Sequence, residues 1–126
     1  MRLYLSERER KLIFSKDVCR LSTVSRNGWP HVIPVSYVYK RGKFYIPANE
    51  RTKKIRNLEK NRRATIVIDE EQRERGVMLE CTSEIMKDKR SDSLKECIRR
   101  EKRWQSDRRT VIIQLAPQRK ASWFRH

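Results

Sequence analysis

The sequence predicts a mainly β domain: a small antiparallel barrel of about six strands with two or three helices at its periphery. Three observations carry this. Apolar residues recur at every second position through several short segments. An Asn27-Gly28 pair follows the first of them, and that dipeptide is the strongest short hairpin signal. Serine and glutamate also stand three residues apart at Ser6/Glu9 and Ser93/Glu96, the spacing of a capped helix start.

The first helix opens at Leu5-Ser6-Glu7-Arg8-Glu9, with Ser6 capping the third amide and Glu9 reaching back. Leu12, Ile13 and Phe14 are expected to face the core. From Val18 the period changes to two, with Cys19, Leu21 and Thr23 on one face and Arg20 and Ser22 on the other. Asn27-Gly28 is expected to supply positive φ at both turn positions. Trp29 to Tyr39 reads as the returning strand. Pro30 and Pro34 lack amide donors, so this strand is an edge or is bulged there. Lys40-Arg41-Gly42-Lys43 makes the next turn and Phe44-Tyr45-Ile46 the third strand.

Pro47-Ala48-Asn49 reads as a loop, and 50–61 as a short basic helix with Ile55 and Leu58 inward. Ala64 to Ile68 is a buried strand, Glu70 to Gly76 a polar loop, and Val77 to Met86 another strand. A helix at roughly 91–104 opens with Ser93-x-x-Glu96. Val111 to Leu115 is a strand closed by Ala116-Pro117, and a last extended piece carries Trp123 and Phe124.

With 126 residues the chain is one domain. Hydrophobic residues at 37% exclude a disordered chain, despite 38% charged residues. No apolar run approaches the roughly 20 residues of a membrane helix, and MRLYLSERER has no apolar signal core. A soluble cytoplasmic protein without a membrane partner is expected. Cys19, Cys81 and Cys97 are too far apart for a metal knuckle or a redox pair, and His31 and His126 complete no zinc site with them. No metal is therefore expected, and the cysteines read as small buried hydrophobes. The formal net charge of +16 favours polyanions and keeps nucleic acid as an alternative partner.

Thr52-Lys53-Lys54 begins the basic helix. A helix N-terminus offers unpaired amides and a partial positive charge; a hydroxyl and two ammonium groups beside it make a phosphate site. The competing reading is a solvated basic face.

RLSTVSRNGWPHVIPVSYVY, then KFYIP, then TKKIRNLEKNRRATIVID, resembles the N-terminal half of the FMN-binding split barrels related to pyridoxamine 5′-phosphate oxidase. VIIQLAPQRKASWF is similar, more loosely, to the family's closing strand and final Trp-bearing strand. The resemblance implies a six-stranded antiparallel split β-barrel that works as a homodimer, with flavins in grooves between subunits. It implies a phosphate held by Thr52, Lys53 and Lys54. The ring would lie along Pro34, Val35, Ser36 and Tyr37, and the ribityl chain along Pro47 and Ala48. Trp123 is the candidate cover for the partner's flavin, its other reading being an aromatic core plug. Ser36 and Tyr37 are adjacent and point to opposite faces, so at most one side chain faces the ring.

The chain also departs from the family. Pro47 stands where members often carry a hydroxyl, and Trp29 replaces a frequent Arg. The Arg-x-His pair of the true oxidases is here adjacent Arg125-His126, which argues against pyridoxamine phosphate as substrate. The implied function is an FMN-dependent oxidoreductase acting on a small molecule, with a deazaflavin coenzyme left open. The alternatives are a flavin carrier or sensor without turnover, and a nucleic-acid-binding barrel using Tyr37, Tyr39, Phe44 and Tyr45. His31 reads either as a proton donor beside the flavin or as a cross-strand hydrogen-bond partner, and the second is preferred.

Overall fold

The computed structural model describes residues 3–87, 89–102 and 107–125. In chain order these form α1 (Glu7–Ser15), β1 (Val18–Val24), β2 (Pro30–Ser36), β3 (Val38–Lys40), β4 (Lys43–Asn49), α2 (Lys53–Lys60), β5 (Arg63–Glu70), a single 3₁₀ turn (Glu71–Arg73), β6 (Arg75–Met86), α3 (Arg90–Lys102) and β7 (Thr110–Phe124). The strands make one antiparallel sheet in the order β2-β1-β5-β6-β7-β4-β3, curled into a half-barrel.

The sheet has seven strands, not six, because the expected returning strand breaks at Tyr37. Before the break β2 pairs with β1, from Val24↔Pro30 to Val18↔Ser36. After it β3 pairs with β4, beginning at Val38↔Tyr45. Two further residues along that ladder would bring β2 to Pro47, which has no amide to donate. The ladder stops instead, and the chain crosses to the opposite edge of the sheet. Tyr37 holds the crossing. Its amide donates to Asp17 O at 3.1 Å, its buried ring packs on Phe44 at 5.6 Å between centroids, and its hydroxyl donates to Ile13 O. Pro30 and Pro34 lie on β2, an edge strand in unbroken register with β1, so neither interrupts a central ladder.

The final strand is also longer than expected. β7 runs through Ala116-Pro117 without stopping, pairing with β4 up to Leu115 and with β6 to Phe124. Pro117 stands opposite Cys81, next to a bulge between Glu80 and Cys81 that absorbs the missing donor.

Leu21, Ile66, Leu79, Ile113, Phe44 and Ile46 fill the barrel, closed at one end by Leu12 and Ile13 of α1 and elsewhere by Ile55 and Leu58 of α2. A second cluster lies outside the sheet, where Leu94 and Ile98 of α3 cover Val38, Tyr45, Met86 and Ile112. α3 starts at Arg90, so Ser93 sits within its first turn rather than at its cap. The expected stretch 103–104 of this helix lies outside the described residues. Phe14, expected in the core, is 66% exposed and meets Tyr39 edge-on. Cys19 and Cys81 are buried and their thiols are pushed up to about 12 by burial, which keeps them inert. Cys97 is half-buried on α3, 3.4 Å from Glu101 Oε1.

Candidate functional site

The break at Tyr37 leaves a split between β2 and β4, with α2 at the far end of β4. Of the residues expected along it, Pro34 is exposed and Ser36 half-buried, sharing β2's outward face. Val35 turns inward against the core and Tyr37 is fully committed to it. A ligand along this strand therefore meets the side chains of Pro34 and Ser36, and only the backbone of Val35 and Tyr37. Burial raises the Tyr37 hydroxyl above its usual range, with Cys19 and Asp17 adding to the shift. Pro47 and Ala48 belong to β4 rather than to a loop; Pro47 is half-buried and Ala48 points into the core.

α2 presents an uncapped end. Thr52 occupies the cap position, but its side chain makes no bond to the helix and donates to Asn49 O at 2.8 Å. The first turn carries no acidic residue. The leading amides are thus free of a side-chain partner, and the helix dipole favours an anion there. Lys54 stands in that turn, half-buried, and desolvation lowers its pKa with no carboxylate to offset it. Lys53, its neighbour, is exposed and turns to a different side of the helix. The three expected phosphate residues thus diverge: Thr52 and Lys54 at the helix end, Lys53 along its flank.

That flank is one wall of a groove of about 700 Å³ between α2 and the β1–β2 turn, lined by Ser25, Arg26, Asn27, Lys53, Arg56, Asn57 and Lys60. Arg56 and Lys60 were not among the residues expected at a site, although positions 53, 56, 57 and 60 have the spacing of one helix face. Asn57 anchors the groove floor. It is buried, and its Nδ2 donates to Thr23 Oγ1 at 3.0 Å. His31 stands across from Thr23 in the β1–β2 ladder, and its buried Nδ1 has no hydrogen-bond partner. The cross-strand bond expected of His31 is therefore not made through that atom.

Trp123 lies far along β7, opposite Gly76, and is 43% exposed on the outer face of the sheet. It is therefore not a core plug. The same face carries the rows Ser36–Val18 and Pro34–Arg20–Val67–Met78–Ala121, and Val32 at 60% exposure. Near its centre Arg20 is paired with Asp69, at 2.6 Å. At the C-terminus Arg125 is ion-paired to Glu74 at 2.5 Å; His126 lies outside the described residues. Among the described residues no cluster of histidine, cysteine and carboxylate side chains is suited to a metal, and no helix is long and apolar enough to cross a membrane.

A family model described as pyridoxamine 5′-phosphate oxidase matches residues 5–124. Among solved structures, an F420 reductase aligns with a TM-score of 0.79 at 16% identity, over 93% of this chain and 98% of that one. General Stress Protein 26 from Bacillus anthracis str. Sterne aligns at 0.78 and 22% identity, over 92% and 91%. A FAD-binding protein from Mesorhizobium loti aligns at 0.75 and 20% identity, over 94% of each chain. At such identities these structures share the fold. No curated protein matches the sequence.

Proposed function

The chain belongs to the pyridoxamine 5′-phosphate oxidase family, and from that premise we propose that it binds FMN and serves as a flavin-dependent oxidoreductase for a small-molecule substrate. The observation that carries the reading is Lys54. A desolvated ammonium without a carboxylate, in the first turn of a helix whose leading amides are uncapped, is a site made for a phosphate. The structural neighbours described as an F420 reductase and a FAD-binding protein support a cofactor of the flavin type.

When bound, the flavin supplies hydride or electron transfer, and the protein supplies binding, orientation and electrostatics. Thr52 and Lys54 would hold the phosphate, with Lys53 adding charge. Pro34 and Ser36, with the backbone of Val35 and Tyr37, would line the ring, and Pro47 and Ala48 the chain between. One copy offers a split and an open outer face rather than an enclosed pocket. The working unit is therefore read as a homodimer, in which the partner closes the site and Trp123 covers the partner's cofactor. The Arg-x-His spacing of the true oxidases is absent, Arg125 and His126 being adjacent, so pyridoxamine phosphate is not the expected substrate.

Titration of the apoprotein with FMN, riboflavin and the deazaflavin coenzyme, followed by fluorescence, tests the reading. Tight FMN binding with much weaker riboflavin binding is expected. Equal affinity for FMN and riboflavin would remove the phosphate site, and preference for the deazaflavin would replace FMN.

A further inference from the structure

The aromatic residues of β3 and β4 form no stacking platform for nucleic acid, since Tyr37 beside them and Phe44 among them are core residues. The groove between α2 and the β1–β2 turn is a different surface. Its lining includes Arg26, Lys53, Arg56 and Lys60 and no acidic residue. The nearest acid on α2, Glu59, lines a separate hollow with Leu58 and Arg62. None of the four bases is ion-paired among the described residues; elsewhere Lys16, Arg20, Arg75, Arg119 and Lys120 each have a carboxylate. Lys53 and Lys60 lie seven residues apart on one helix face, about 10 Å along the axis. That length spans more than one phosphate of an extended single strand.

The second observation is Trp29. The residue is 71% exposed, an unusual state for the largest apolar side chain. Its backbone is bonded to Ser25, a wall of the groove: Ser25 N donates to Trp29 O at 2.9 Å, and Trp29 N to Ser25 Oγ at 3.1 Å. An exposed aromatic residue is thus tied through its backbone to the turn that walls a cationic groove with no acidic lining residue. Single-stranded nucleic acid is bound by that combination, with phosphates in the channel and bases on the ring.

We propose that the groove formed by Arg26, Lys53, Arg56 and Lys60 binds single-stranded nucleic acid, with a base stacked on Trp29. The occupied surface is the flank of α2, which shares Lys53 with the flavin reading but not Thr52 or Lys54 at the helix end. The net charge of +16 adds long-range attraction for a polyanion.

Fluorescence anisotropy of a fluorescein-labelled uridine dodecamer, across a salt series, tests this with the full chain. The double variant Arg56→Ala/Lys60→Ala is expected to bind at least tenfold more weakly. It should also lower the slope of log affinity against log salt by about 1.4, at about 0.7 for each phosphate no longer neutralised. Trp29→Ala is expected to weaken binding about tenfold with the salt slope unchanged. The control is Lys40→Ala/Lys43→Ala, which removes equal charge from the turn beyond Tyr37. If both double variants lose the same amount, only the diffuse field acts and the groove is not a site. Displacement of the dodecamer by equimolar ATP would also overturn the proposal, making the groove a mononucleotide site. Lys60→Ala alone, a surface change, guards against a folding defect in the double variant. It should lose dodecamer affinity while keeping wild-type FMN affinity, so failure here is distinct from failure of the flavin reading.

Discussion

The indole of Trp123 lies over the bare backbone of Gly76, its partner across the β6–β7 ladder. A Cβ built on Gly76 would stand 2.8 Å from Trp123 Cε2 and 3.0 Å from Asp69 Cβ, inside contact distance for both. The glycine has no positive φ to justify it, so the ring is the reason it is there. The cross-strand pair fixes where Trp123 sits on the outer face.

Gly76→Ala is therefore expected to destabilise the fold by about 1–3 kcal/mol through overpacking. In a Trp123→Ala background the same substitution should cost clearly less, because the clash is gone. Urea unfolding of the four proteins gives the coupling. Equal costs in the two backgrounds would show that the ring does not hold the glycine.

Glu9 illustrates what sequence shows and what it hides. The capping box was legible from spacing alone: Ser6 N donates to Glu9 Oε1 at 2.7 Å, and Glu9 N to Ser6 Oγ at 3.2 Å. That Lys120 reaches the same oxygen at 2.7 Å from β7 was not, since nothing local links residues 111 positions apart. The turns show the limit differently. Asn27-Gly28 was expected to take positive φ at both positions, yet only Gly28 does, at 88°. Gly28 N donates to Ser25 O and Ser25 N to Trp29 O, closing a three-residue loop in which only the last residue is left-handed. Arg41-Gly42 takes the two-residue form instead, with φ of 53° and 83°, because strands pairing Lys40 with Lys43 leave room for nothing longer. Strand pairing overrode dipeptide preference. The edge position of β2 was legible from its prolines; its break at Tyr37 was not, because it depends on Tyr37's hydroxyl finding Ile13 and on Pro47 of another strand.

Burial alone would raise the Glu9 carboxyl, but Lys120, the Ser6 amide, Ser122 and the Ser6 hydroxyl together lower it from 4.5 to about 2. A depressed carboxyl contributes stability that is complete above its unfolded value and lost as pH falls toward the folded one. The window is thus pH 4.5 down to about 2, and the contribution at neutral pH is on the order of 3 kcal/mol. Thermal melts of wild type and Glu9→Gln across that range should converge as pH falls. A constant gap between them would contradict the assignment.

Lys54→Ala should weaken FMN binding at least tenfold, since removing one partner of a desolvated charge pair costs about 2–5 kcal/mol. Lys60→Ala, further along α2, should leave it unchanged. The pH dependence has a definite sign. Burial lowers the Lys54 pKa, and only the charged form attracts phosphate. FMN affinity should therefore fall with rising pH before an ordinary lysine would titrate, whereas riboflavin affinity should not follow. Equal small losses in both variants would leave only the general field.

The outer face should close against a second copy, and ionic strength should report it. Val18, Val32 and Trp123 are 49%, 60% and 43% exposed there, around the Arg20–Asp69 pair. Exposed apolar residues gathered on one face suit an interaction surface. Two chains each carrying +16 repel, so the unpaired bases have to lie at the rim of the contact, with Arg20 neutralised by Asp69 inside it. Salt should therefore tighten the apo dimer, because screening acts within about 8–10 Å at moderate ionic strength. FMN should tighten it further, since each phosphate brings nearly two negative charges and a ligand bound only by the dimer stabilises it by mass action. Val32→Asp, on the edge strand β2 of this face, should separate the subunits and lower FMN affinity together. Sedimentation equilibrium of apo and FMN-loaded protein across a salt series measures both effects. A monomer that keeps full FMN affinity would place the whole site within one chain and leave the exposed face without this role.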